Sequence, residues 1–180
     1  MATFLLNLNE NDCCIVSDAD EIWNPNLAGY LRSGKVKYQA ARLDMLFHYY
    51  YLNCRGIGSG NSIWKSAFFA RNSFLRANRD LTKIRTQYSL PSIGNAGWHF
   101  SYIGGFDQMI HKLESFAHQE SNLEKYKSIE HLKRCLSIGV DFLERSDHEW
   151  AFHPIDYYPK SLQEIMLKYP ELIRSNLLTP

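Results

Sequence analysis

The stretch that decides how this chain is read is CIVSDADEIWNP, residues 14–25. An apolar run, Cys14-Ile15-Val16, ends abruptly in Ser17-Asp18-Ala19-Asp20-Glu21. A short run with β-branched residues that stops at polar ones suits a buried strand. Asn24 followed by Pro25 has the form of an N-cap with proline at the first helical position, and Gly34 is placed to close that helix. A strand that ends in acids and is followed by a short helix suits a mixed α/β domain. Open α/β sheets bind their ligands at the carboxyl ends of strands, where these acids sit. On an extended chain residues i and i+2 face the same way, so Asp18 and Asp20 are expected to converge. Two hard oxygen ligands at that spacing suit Mn²⁺ or Mg²⁺, ions that keep positions for substrate phosphates.

Three rival readings of the acids compete. An EF-hand loop requires a ligand at its fifth position and glycine at its sixth; Ile22 and Trp23 stand there, so that reading fails. A phosphatase of the haloacid dehalogenase type also carries Asp-x-Asp after a strand, with Asp18 then the nucleophile. It needs a matched downstream lysine and acidic pair, which no stretch of the chain supplies clearly. The third reading is structural: the acids favour the positive N-terminus of the helix after Pro25. Asp-x-Asp alone does not separate that reading from metal binding.

Composition limits the function classes. The 180 residues suffice for one domain with a sizeable core, and 45% hydrophobic content argues for folding rather than disorder. We read residues 1–180 as a single α/β domain. A formal net charge of +1 lacks the basic excess of a nucleic-acid or membrane-surface binder. No apolar run approaches the roughly 18 residues of a membrane span. The opening MATFLLNLNEND turns polar too early for a signal peptide, so a cytoplasmic location is expected. Cys13, Cys14, Cys54 and Cys135 form no CxxC pair or zinc spacing and read as reduced thiols.

Further along, residues 36–54 read as one or two aromatic-rich strands, 55–61 as a glycine-rich loop and SIWKSAFFARN as another strand. Residues 89–97 read as a loop and WHFSYI as a strand. Gly104-Gly105 open an amphipathic helix with Met109, Leu113 and Phe116 on one stripe. Ser128 and Gly139 bracket a second helix, and the tail from Pro159 looks helical. The aromatic run Tyr49-Tyr50-Tyr51, with Trp64, suits core packing better than stacking on sugar rings.

A second constellation lies in residues 95–120, NAGWHFSYIGGFDQMIHKLESFAHQE. It holds His99, His111 and His118 together with Asp107, Glu114 and Glu120. His99 sits between Trp98 and Phe100 on a strand entering a glycine turn, a suitable place for a ligand or a phosphate contact. Taken in order, IVSDADEIWNP, YYYLNC, GWHFSYIGG, IHKLESFAHQE and PKSLQEIMLKYPELIRSN resemble glycosyltransferase family 17, the β-1,4-mannosyl-glycoprotein 4-β-N-acetylglucosaminyltransferase family. The pairing of SDxDEI with a later GWHFS carries the resemblance.

That resemblance implies a GT-A-like (Rossmann-like) fold with a mixed sheet and flanking helices. It implies an inverting, metal-dependent transfer of N-acetylglucosamine or a related sugar from a UDP-sugar donor to a glycan acceptor, with Mn²⁺ or Mg²⁺ as cofactor. Asp18 and Asp20 match the Asp-x-Asp that holds metal and donor diphosphate, with Glu21 beside them. His99 becomes the candidate third metal or diphosphate contact, with Trp98 adjoining it on the donor side. Inversion needs one general base; Asp107 at a helix start ranks first, Glu114 second and Glu120 third.

Two departures are visible. Trp23 stands where the family carries proline after DEI, and only 17 residues precede Asp18. The chain is therefore expected to be the C-terminal portion of a GT-A-like domain: a fragment, one half of a split enzyme, or a non-catalytic binding remnant. Self-association or a partner chain at an exposed sheet edge is expected to follow.

Overall fold

The computed structural model describes residues 7–115 and 119–174. By their internal contacts the residues form two compact units, Met1–Leu46 with Trp64–His99, and Phe47–Ile63 with Phe100–Pro180. Helices and strands are mixed throughout both, as expected for an α/β chain.

In the first unit, β1 (Cys13–Val16) pairs antiparallel with β6 (Phe68–Arg71). Strand β6 pairs antiparallel with the start of β3 (Ala40–Tyr49), Ala40 opposite Ala70 and Arg42 opposite Phe68. The period-two alternation of β3 divides its side chains between two faces. Ala41, Leu43 and Met45 pack with Phe69 and with Leu27 and Leu31 of helix α1 (Leu27–Arg32). The opposite face joins Ala40, Phe68 and Ala70 to Leu75 of α2 (Asn72–Ala77) and Ile84 of α3 (Leu81–Thr86). Covered on both sides, β3 is buried along most of its length. Arg42 on the α3 face is buried too. Its Nη2 donates to the carbonyls of Ile84, in the last turn of α3, and Tyr88, just beyond it, at 2.7 and 3.0 Å. At the other end of α3, Asp80 accepts from the Lys83 amide at 3.0 Å, an N-cap that sets where Arg85 emerges. Strand β2 (Glu21–Trp23) pairs antiparallel with β7 (Ser92–Ser101), in the register Glu21–His99, Ile22–Trp98, Trp23–Gly97.

The second unit contains the end of β3, β4 (Cys54–Gly56) and β8 (Trp150–Phe152), again antiparallel. Its core is aromatic. The Tyr49 ring stacks on Trp150 at 4.3 Å and on Phe142 at 5.5 Å, with Tyr102 edge-on at 5.1 Å. Tyr49 and Tyr50 are buried and Tyr51 is half-buried, so the run packs in the core at its first two rings, as its sequence context suggests. Burial holds the Tyr49 phenol well above its ordinary pKa. Helix α4 (Phe106–Ser115) buries Met109 and Leu113; Phe116 and His118 lie outside the described residues. After the short α5 (Glu124–Lys127), α6 (Ile129–Ile138) is capped by Ser128 and ends at Gly139, which takes the left-handed conformation at φ 69°. Helix α7 (Lys160–Met166) supplies the helical part of the tail.

Several boundaries differ from the sequence reading. Helix α1 starts at Leu27, not Pro25, because Asn24 spends its Oδ1 on the Asn26 amide, a local turn that delays the helix. SIWKSAFFARN is two short strands, β5 (Ile63–Trp64) and β6, followed by α2. Helices α2 and α3 leave no periodic signal in the sequence, being only six residues each. Residues 92–97, where the sequence suggests a loop, belong to β7. Their glycines and asparagine suggested a turn, whereas Gly97 is there because β2 approaches closely: a Cβ on Gly97 would lie 2.1 Å from the Ile22 carbonyl oxygen. All four cysteines are free thiols, as expected.

Gly97→Ala is therefore expected to push β2 off β7 and lower the urea midpoint, by about 1–3 kcal/mol of stability. Gly94→Ala, on the same strand with nothing within 4 Å of where the new methyl group would stand, should stay near wild type. Equal midpoints for the two variants would refute the close approach.

Candidate functional site

The acids do not continue the strand. Ser17 to Asp20 form a turn between β1 and β2, closed by the Glu21 amide donating to the Asp18 carbonyl at 3.1 Å. The expectation of an extended chain carrying Asp18 and Asp20 side by side is corrected accordingly. Nor do the acids cap α1, whose first turn contains no acidic residue and whose N-cap is Asn26.

Glu21 organises the turn. Its side chain is fully buried. One carboxylate oxygen, Oε2, accepts from the Asp18 amide at 2.6 Å; Oε1 accepts from Trp64 Nε1 at 2.5 Å and lies 3.6 Å from Arg85 Nη2. Burial pushes the Glu21 carboxyl above the ordinary glutamate range. The Trp64 and Asp18 hydrogen bonds pull it back, the Asp18 carboxylate adds to the rise, and Arg85 opposes it.

Arg85 forks onto Asp18, Nη1 to Oδ1 at 2.8 Å and Nη2 to Oδ2 at 2.7 Å. The bidentate geometry is the strong form of such a pair, and it makes Arg85 hold its proton more firmly. Asp18 is half-exposed at 51%, so solvent screens much of the attraction. Asp20 Oδ1 lies 3.5 Å from Nδ1 of His99, which is buried. The Trp64 indole stacks on the His99 ring at 4.2 Å, nearly parallel at 8°. Trp64 thus touches both motifs, donating to Glu21 and covering His99.

The structure brings Asp18, Asp20, Glu21 and His99 together through the β2–β7 register. Strand alternation turns the buried Trp98 to the face opposite His99. Asp107 is exposed in the first turn of α4; Glu114, also exposed, lies 3.5 Å from Lys127 Nζ. Both belong to the second unit, as does the exposed Glu120, whereas the acidic turn belongs to the first. Sequence reasoning missed Arg85 and the role of Trp64. The helix bearing Arg85 is short, and nothing local in the sequence relates an arginine at 85 to an aspartate at 18.

A divalent cation of the Mn²⁺ or Mg²⁺ type prefers carboxylate oxygen, and the donors here are carboxylates on one turn with an imidazole behind Asp20. Among the described residues no group of three or more His, Cys, Asp and Glu side chains is arranged as a metal cage. A diphosphate-bridging ion does not require one, since it takes one or two protein carboxylates and completes its shell with phosphate and water. The donor set fits, with the condition that an ion at Asp18 competes with Arg85. No family model, curated protein or solved structure matches the chain.

Trp64→Phe keeps a ring over His99 and deletes the N–H that Glu21 Oε1 accepts. Leaving that buried oxygen short of a donor should cost about 1–3 kcal/mol in denaturant unfolding. Trp64→Phe melting with the wild type would overturn the buttressing role given to this bond.

Proposed function

We propose that the chain carries the donor-binding turn of a GT-A-like, metal-dependent inverting glycosyltransferase, one that transfers N-acetylglucosamine or a related sugar from a UDP-sugar to a glycan acceptor. The observation that supports this best is the pairing of Glu21 with His99, which joins the two stretches on which the resemblance to glycosyltransferase family 17 rests. Asp20, with Asp18, would hold a Mn²⁺ or Mg²⁺ ion, which when bound supplies positive charge to a diphosphate leaving group. Glu21 holds the turn in shape through the Asp18 amide and positions both aspartates rather than touching donor. His99, stacked under Trp64, orients toward Asp20 and limits how that carboxylate swings. Arg85, on leaving Asp18, would contact donor phosphate. For the base that takes the acceptor proton, Asp107 stays ahead of Glu114, whose carboxylate already faces Lys127.

A second reading draws support from the Asp18–Arg85 fork. A carboxylate already matched by a guanidinium suits a metal-free binding remnant, in which nucleotide or sugar binds without transfer.

Calorimetry with UDP-N-acetylglucosamine separates the two. The transferase reading expects binding that needs Mn²⁺ and weakens at least about tenfold in Asp20→Ala. Binding indifferent to the metal selects the remnant. Phosphate release from a generic ester, abolished by Asp18→Asn, would point instead to the phosphatase chemistry. For a chain with transfer activity, Asp107→Asn should lower kcat by about 10²-fold or more, and Glu114→Gln by much less. The reverse order would move the base to Glu114.

A further inference from the structure

The first unit contains a second concave feature that the acidic turn does not use. A cavity of ≈ 450 Å³ opens beside the far end of β2, lined among others by Asn24, Asn26, Tyr30, Tyr38, Ser92 and Asn95. None of its lining residues is charged. Tyr30 and Tyr38 present large exposed rings, at 44% and 47%. The wall is braced. Asn24 Nδ2 donates to the Asn95 carbonyl at 3.1 Å, the Asn24 amide donates to the Ala96 carbonyl at 2.8 Å, and Asn24 Oδ1 accepts from the Asn26 amide at 3.0 Å. Asn95 is held in the left-handed region at φ 59°, a conformation that asparagine tolerates better than most residues. The Asn26 side chain makes no capping bond to α1, although it stands at the N-cap.

We propose that this cavity binds a neutral saccharide. The primary amides of Asn26 and Asn95 each offer a donor pair and an acceptor side by side, which matches vicinal hydroxyls, while that of Asn24 braces the wall. Tyrosine rings cover the C–H faces of a sugar with large apolar area and keep a polar tip for its hydroxyls. An anionic ligand would lose its hydration here and gain no counter-charge. A flat base shows polar atoms only along its edge, whereas the amides of Asn26 and Asn95 stand on separate stretches of the wall. Asn24 lies three residues beyond Glu21, roughly 10 Å along an extended chain, so the cavity adjoins the acidic turn without sharing residues with it. On the transferase reading this is where acceptor sugar sits, and in that role the proposal rests on that reading; the binding itself rests only on the lining.

The test is a heteronuclear NMR titration of the whole chain with the β-1,4-linked disaccharide of N-acetylglucosamine, with no metal or nucleotide present. Shifts are expected at Asn26, Tyr30, Tyr38 and Asn95, with affinity in about the millimolar range. Tyr30→Ala and Tyr38→Ala, both exposed ring truncations, should each weaken binding about tenfold while the remaining spectrum stays dispersed; Asp20→Ala should leave it unchanged. No shifts at the cavity with the disaccharide, shifts there with uridine in its place, or affinity untouched by both tyrosine variants would overturn the proposal. Disaccharide binding with no metal-dependent UDP-N-acetylglucosamine binding would overturn the transferase reading and leave this one standing. The opposite pattern would do the reverse.

Discussion

The acidic turn depends on one buried carboxylate. Glu21 is the first residue of β2, and its side chain lies inside the first unit. A charged group taken from water destabilises a fold unless hydrogen bonds and counter-charge replace the lost hydration. Here the replacements are the Asp18 amide, the Trp64 indole and the nearby Arg85 guanidinium. Each reaches back to a different part of the chain. The amide bends the turn, the indole ties in β5, and the guanidinium ties in α3. Satisfying one carboxylate therefore shapes the turn that displays Asp18 and Asp20.

The close approach of β2 to β7 is the second constraint, and it serves the first. Gly97 lets the Ile22 carbonyl come nearer than any side chain would permit. The resulting register sets Glu21 opposite His99. Trp64 then covers His99 while holding Glu21, so the aromatic stack and the buried acid lock each other in place. Asp18 and Asp20 are left at the more exposed side of this assembly, where solvent has access.

Much of the α/β pattern is legible in the sequence. The strand at Cys13–Val16, the long strand around Leu43 and Met45, and the helix from Ser128 to Gly139 all follow from local signals: a β-branched apolar run, aromatic enrichment, and cap residues at fixed offsets. The tyrosine run packs in the core through Tyr49 and Tyr50, as dense aromatics on a strand favour packing over display. The short helices α2 and α3 were not legible. Six residues carry too few turns for periodicity, and tertiary packing of Leu75 and Ile84 supplies what propensity does not.

The candidate site divides along the same line. The sequence by itself determined which chemistry was available: three acids in one short stretch, a histidine between aromatics, and glycines flanking it, since residue types and spacing are local properties. The tertiary structure decided how those acids are used. It buried Glu21, neutralised Asp18 with Arg85, set Asp20 beside His99 and turned Trp98 away. It also gathered Asn24, Tyr38 and Asn95 around one uncharged cavity. These outcomes depend on strand register and on which helix end faces which turn, contacts between residues distant in the chain. No local pattern encodes such contacts, because they exist only once the apolar faces of β3 are covered and the remaining polar groups must find partners.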